Sequence, residues 1–289
     1  MPDASDRIDE ALGVIGRLVA LAVVTLLTLF VIGVALKPLL PLGLPAGQEG
    51  RVLFALLIAL ALVVGHLTVT LMFERSDWTT AGLSAEGWHP LRLGVSLFEG
   101  VLVILLPAVA LMLTDQLRLE TALPGAWVAY AGNALLVLSV LALTEELVFR
   151  GYLMGLLSAR WGPLAAIAFT SVGFGAYHAF DPGATAVSIA AVTIAGVFLG
   201  AVRGRTGSVV AAWLAHLAID WTQVAVFHSP VSGLELGVPP GYRTVPSGPD
   251  WLTGGDRGLE GGAAAAATLG VVIFVHYRAR RPASRTTRS

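Results

Sequence analysis

The sequence predicts an all-α fold, a polytopic membrane bundle of about eight transmembrane helices forming a single integral domain over residues 1–289. Three observations carry that expectation. Hydrophobic residues make up 56% of the chain and charged residues 13%, and the mean hydropathy of +0.79 lies outside the range of soluble domains. Apolar stretches of about 20 residues, enough to cross roughly 30 Å of hydrocarbon as helix, recur along the chain between turns rich in Gly and Pro. Finally, with eight spans, thirteen of the eighteen Lys and Arg residues fall on the side of the two termini. The positive-inside bias then places both termini in the cytoplasm, as expected of a multi-pass protein of the plasma membrane.

The first span runs from Leu12 to Leu36 and is read as an anchor, since no small-residue cleavage site follows it before KPLLPLGLPAG. Val52–Phe73 is the second. SDWTTAGLSAEGWHP, with two tryptophans and mixed polarity, reads as an interfacial segment ahead of the third span, Leu91–Leu113. The fourth begins at Trp127 and reaches Leu157, too long for one simple crossing. Spans five to seven, Pro163–Phe180, Thr185–Val202 and Val209–Phe227, are tightly spaced by the turn signals DPG and RGRTG and should pack as antiparallel neighbours. Residues 228–258 are dense in Gly and Pro and read as an irregular extramembrane loop. Leu259–Tyr277 is the last span, and 278–289 is a basic cytoplasmic tail that bears on topology and not on nucleic acid.

Cysteine is absent, which excludes disulfides and thiolate metal sites, so any metal would need His and carboxylate ligands. Charges at membrane depth cost about 2.5 to 3.5 kcal/mol each and are functional candidates. In TEELVFRGYLMG, Glu146 and Arg150 stand at i and i+4 with the glutamate N-terminal, the favoured order for an ion pair. Glu145 is rotated by about 100° and lacks that partner. One carboxylate therefore reads as structural and the other as available, against the plainer reading that all three charges mark the cytoplasmic end of the span. His178 lies in FGAYHAF, and His216 and Asp220 share one face of WLAHLAIDW. A lone His in an apolar helix is more often an interhelical hydrogen-bonder, but a His with an Asp one turn on suggests an oriented imidazole, a cation site or a reacting group. Glu145, His178, His216 and Asp220 form a candidate water-activating constellation. Phe174 could wall it or simply pack.

EELVFR, Phe174 to His178, and His216 to Asp220 resemble, in order, the EExxxR, FxxxH and HxxxN/D motifs of the CPBP family of intramembrane proteases (CAAX protease and bacteriocin-processing, also called Abi). The resemblance is strongest over residues 127–227, the motif-bearing core. It implies a CAAX-protease-like eight-helix endopeptidase, similar to the Ras-converting CAAX prenyl endopeptidases, with a polar intramembrane cavity open to the cytoplasm. Carried over, Glu145 is the general base, His178 its partner in activating a water, and His216 with Asp220 the stabilisers of the oxyanion, with Glu146 and Arg150 holding the helix and cavity in shape. Close relatives of the eukaryotic enzymes have Asn where this chain has Asp220. An ionised Asp would repel an oxyanion, so Asp220 must be protonated, orient His216 or ligate a metal. The same four side chains offer a ligand set for Zn(II); the metal-free glutamate mechanism is preferred over the metalloprotease one, and no cofactor is assigned.

The resemblance implies a membrane-associated protein or peptide as substrate, met in the lipid bilayer. Two other classes compete with a peptidase: a non-proteolytic scaffold or bacteriocin self-immunity protein, and a proton-coupled transporter using His66 and Glu99 as relay sites. No inverted repeat supports the transporter.

Overall fold

The computed structural model describes residues 4–38 and 47–279. The chain runs α1 (Ala4–Leu36), α2 (Gly47–Phe73), α3 (Pro90–Leu113), β1 (Leu117–Thr121), α4 (Trp127–Arg150), α5 (Tyr152–Trp161), α6 (Pro163–Tyr177), α7 (Ala186–Thr206), α8 (Val209–Trp221), β2 (Tyr242–Pro246), the single turn α9 (Asp250–Thr253) and α10 (Ala263–Ala279). The basic tail beyond Ala279 lies outside the described residues. The helical membrane bundle expected from the sequence is present. Among the described residues six stretches are long and apolar enough to cross a membrane: Leu12–Leu36, Val52–Phe73, Pro90–Leu113, Trp127–Trp161, Ala186–Thr206 and Val209–Val226. The fifth and eighth expected spans correspond to α6 and α10, of 15 and 17 residues, so length and hydropathy alone give six crossings where the sequence predicts eight.

Small residues let the helices approach closely, the usual device where lipid offers no hydrophobic drive for association. Gly100 of α3 is so near α8 that an added Cβ would stand 2.2 Å from the Ala215 carbonyl oxygen. At Gly175 of α6 the same atom would meet Thr193 Oγ1 of α7 at 2.0 Å. Helices α4 and α8 are joined by indoles, whose buried N–H needs an acceptor. Trp213 donates to the Ser139 carbonyl at 2.8 Å, Trp221 to Ala131 at 3.0 Å and Trp127 to Ala225 at 2.8 Å. The pairs step along the two helices in opposite directions, which fixes an antiparallel register. By contrast α1 has 6% of its apolar window buried and packs chiefly on α2; its exposed Leu26, Phe30 and Val31 suit a lipid-facing helix.

The long fourth span is broken at Gly151 (φ −76°, ψ −132°), and side chains from other helices satisfy the backbone there. Arg203 Nε donates to the Arg150 carbonyl at 3.1 Å, and the Tyr152 N–H donates to His66 Nε2 at 3.2 Å. The segment expected at the interface is tied down, with Ala81 and Gly87 buried and Arg203 Nη2 donating to the Thr79 carbonyl at 3.1 Å. At the opposite face, β1 and β2 form a two-stranded antiparallel sheet pairing Leu117 with Pro246 and Thr121 with Tyr242. Strand β2 lies inside the stretch expected to be irregular. That stretch is further pinned by Gln223, which donates to the Pro230 carbonyl and accepts from the Glu260 N–H at 2.8 Å.

Candidate active site

The end of α4 carries the central charges. Glu146 and Arg150 are fully buried and paired at 2.9 Å, the i to i+4 ion pair that the spacing predicts. Arg150 Nη2 donates to the Gly196 carbonyl on α7 at 3.1 Å, and its guanidinium sits 4.3 Å from the centroid of the Phe174 ring. Glu146 Oε1 also accepts from Nδ1 of His216 at 2.9 Å. A buried charge pair is tolerable only where such additional hydrogen bonds compensate desolvation, and here they link α4, α7 and α8.

Glu145, one residue earlier, turns to the other side and is partly accessible (21% of its side chain). Its Oε2 lies 3.8 Å from Nε2 of His178 and 3.8 Å from Nε2 of His216. His178 closes α6, and its Nδ1–H donates to the Phe174 carbonyl at 2.8 Å; in the neutral ring this leaves Nε2 as an acceptor aimed at the carboxylate. His216 Nε2 is also 3.6 Å from Asp220 Oδ2, while Asp220 Oδ1 is buried without a partner. Phe174 touches both imidazoles, with ring centroids 4.4 Å from His178 and 5.8 Å from His216. The seven residues singled out for the peptidase site, Glu145, Glu146, Arg150, Phe174, His178, His216 and Asp220, therefore cluster together.

Five of them, Glu145, Phe174, His178, His216 and Asp220, line a cavity of about 170 Å³, with Glu146 and Arg150 outside the lining. Four polar lining residues were not singled out from sequence: Tyr177, Asp181, Ser232 and Glu260. Tyr177 adjoins His178 and could have been found from it. Ser232 and Glu260 come from the Gly-rich stretch after α8 and carry no motif signal. The connector residues in the lining belong to the α6–α7 turn and to the α8–α10 segment, the face of β1 and β2; none comes from residues 74–89 or 207–208 at the other face.

The expected relay candidates stand apart. His66 donates from Nδ1 to the Leu62 carbonyl at 2.8 Å and accepts the Tyr152 N–H, while Glu99 forms a two-pronged pair with Arg205 at 3.2 and 2.8 Å. Neither lines the cavity. As to zinc, no group of three or more His, Asp or Glu side chains among the described residues has the arrangement of a metal site. His216 Nδ1 is committed to Glu146, and Glu145 Oε2 stands 3.8 Å from Nε2 of both His178 and His216, with His216 Nε2 3.6 Å from Asp220 Oδ2, at or beyond the roughly 3.3 to 3.6 Å edge of a tetrahedral zinc site. The site as built does not fit a bound zinc, and no step below runs through one.

Residues 126–222 match the family model described as type II CAAX prenyl endopeptidase Rce1-like. That match, covering the segment with all three motifs, bears out the resemblance to the CPBP/CAAX protease family. No curated protein and no solved structure matches the chain. The family match and the apolar helices support a multi-pass membrane protein with a peptidase activity of the CAAX endopeptidase kind.

Proposed function

We propose that the protein is an intramembrane endopeptidase in which Glu145 activates a water for attack on a peptide bond. The observation that carries this reading is the closeness of Glu145 Oε2 to His178 Nε2, 3.8 Å apart, with His178 Nδ1 held against the Phe174 carbonyl so that the neutral ring presents Nε2 as an acceptor. A water donating to both satisfies each and keeps a lone pair free for a carbonyl carbon. As the bond to that carbon forms, the water proton passes to Glu145, which returns it to the leaving amine. His178 holds the water through Nε2, and its ring orientation is fixed by the bond to Phe174.

His216 supplies the donor for the oxyanion. Its Nδ1–H is engaged by Glu146, and Nε2 faces two carboxylates, an arrangement that needs a proton between them. With that proton on Nε2, His216 is a donor aimed into the cavity, and Asp220 orients and balances it. This gives the aspartate a role without asking it to touch the oxyanion. A prearranged donor of this kind contributes about 2.7 to 4 kcal/mol. Glu146 and Arg150 hold His216 and α4 in register.

Parity supports an eight-crossing topology. Strands β1 and β2 pair, so an even number of crossings must separate them; α4 with α5, α7 and α8 supply three, and α6 supplies the fourth. At about 1.5 Å per residue α6 spans roughly 22 Å, short enough to thin the bilayer locally. With α10 as the eighth crossing, both termini share the face rich in Lys and Arg, read as cytoplasmic at the plasma membrane. The cavity is then bordered by connectors of the opposite, extracytoplasmic face, and the cytoplasmic opening implied by the family resemblance is not carried over. The substrate is a membrane-associated protein or peptide. The test is cleavage of membrane-reconstituted peptides by purified protein, present in the wild type and absent in Glu145→Gln.

A further inference from the structure

The cavity wall is rich in carboxylates. Glu145, Asp181, Asp220 and Glu260 line it, and no Lys or Arg among the described residues does. Asp181 is neutralised from behind by Arg257 at 3.1 Å, as Glu146 is by Arg150. Among the described residues Glu145, Asp220 and Glu260 have no Lys or Arg ion-pair partner; Glu145 and Asp220 face His216 instead. Glu260 is held in place: the Ser232 N–H and hydroxyl both donate to its Oε1, at 2.7 and 3.0 Å, and its own N–H is fixed by Gln223. Its Oε2 accepts no hydrogen bond from the described residues. Asp220 Oδ1, on a residue 5% exposed, is likewise unpartnered. An open carboxylate oxygen, buried at Asp220 and half-buried at Glu260, is satisfied best by a cationic donor.

We propose that the cavity selects a peptide segment carrying a lysine or arginine beside the scissile bond, with Glu260 receiving the cation. The assignment rests on the peptidase reading above and adds to it the chemistry of the substrate. It also disfavours a segment that brings an acidic side chain toward Glu260, because the carboxylates of the wall would repel it. Glu260 acts here as a specificity-determining residue, set in the α8–α10 segment and not in any of the three motifs. The substrate backbone meets Glu145, and the cationic side chain reaches the Ser232 turn.

Three peptides of one apolar sequence, with Lys, Gln or Glu at the residue next to the cut, would be assayed with full-length protein in nanodiscs. The expected order in kcat/KM is Lys over Gln over Glu, with at least about a tenfold step for the lost charge-assisted bond. Glu260→Gln should bring Lys and Gln together, and Glu260→Asp should restore part of the preference; the wild-type series alone decides the matter should a variant fail to fold. Equal rates on all three peptides overturn the charge assignment and leave the peptidase reading standing. If no peptide is cut in a Glu145-dependent way, the peptidase reading falls and the assignment with it.

Discussion

Oε1 of Glu146 receives both Nη1 of Arg150 and Nδ1 of His216, each at 2.9 Å. One carboxylate oxygen therefore ties the ion pair that stabilises the end of α4 to an imidazole on α8. The glutamate next to it is left facing the cavity. The EE pair divides into a supporting residue and a reacting one because neighbouring positions of a helix differ by about 100°.

Removing the cation from this arrangement should be a stability effect first. Arg150→Met leaves the buried Glu146 with His216 as its one remaining partner among the described residues, and the expected loss is about 3 to 5 kcal/mol. It would be read as a large fall in the midpoint of thermal unfolding in detergent, alongside reduced accumulation in membranes.

His216 and Asp220 should behave as one unit. Alanine at either position is expected to lower kcat by about a hundredfold or more, with KM little changed. The double substitution should cost scarcely more than the worse single one, since Asp220 acts through His216. A fully additive double mutant would show that the two work separately.

Much of the site was legible because membrane depth makes charge expensive and helical spacing tells which charges share a face. The i to i+4 pairs Glu146–Arg150 and His216–Asp220 needed nothing more. The joining of Glu145 to His178 and His216 depends on how α4, α6 and α8 cross, which local spacing does not encode; the motif resemblance stood in for that knowledge. Glu260 and Ser232 were out of reach, because their stretch has turn chemistry and no period. Strands β1 and β2 were missed for a related reason: RLE in β1 and YRTVP in β2 are short, polar and separated by the five helices α4 to α8. The expected count of eight spans met helices shorter than a bilayer at α6 and α10, where apolar composition does not reveal length.

Gly100 is the contact on which α8 is seated. Gly100→Val would press a side chain against the Ala215 carbonyl, 2.2 Å from the Cβ position, and overpacking of this kind costs about 1 to 3 kcal/mol or more. Because Ala215 precedes His216, activity per folded molecule should fall as well. Thermal unfolding and turnover measured on the same preparation would check both.

His66 is expected to matter for folding and not for chemistry. His66→Ala leaves the Tyr152 N–H unpaired in the break after Gly151 and should cost about 1 to 3 kcal/mol. Turnover per folded molecule should be kept. A proton relay through His66 would give the reverse, normal stability with lost function.

The central claim is that Glu145 activates the water that cuts the substrate. Removing a general base lowers the rate by about 10² to 10⁴, and Glu145→Gln does so while nearly keeping the side chain's shape. The most direct measurement compares new peptide termini in host membranes carrying equal amounts of wild type or Glu145→Gln. The account predicts a set of termini present with the wild type and missing with the variant. The same termini at the same abundance in both would contradict it.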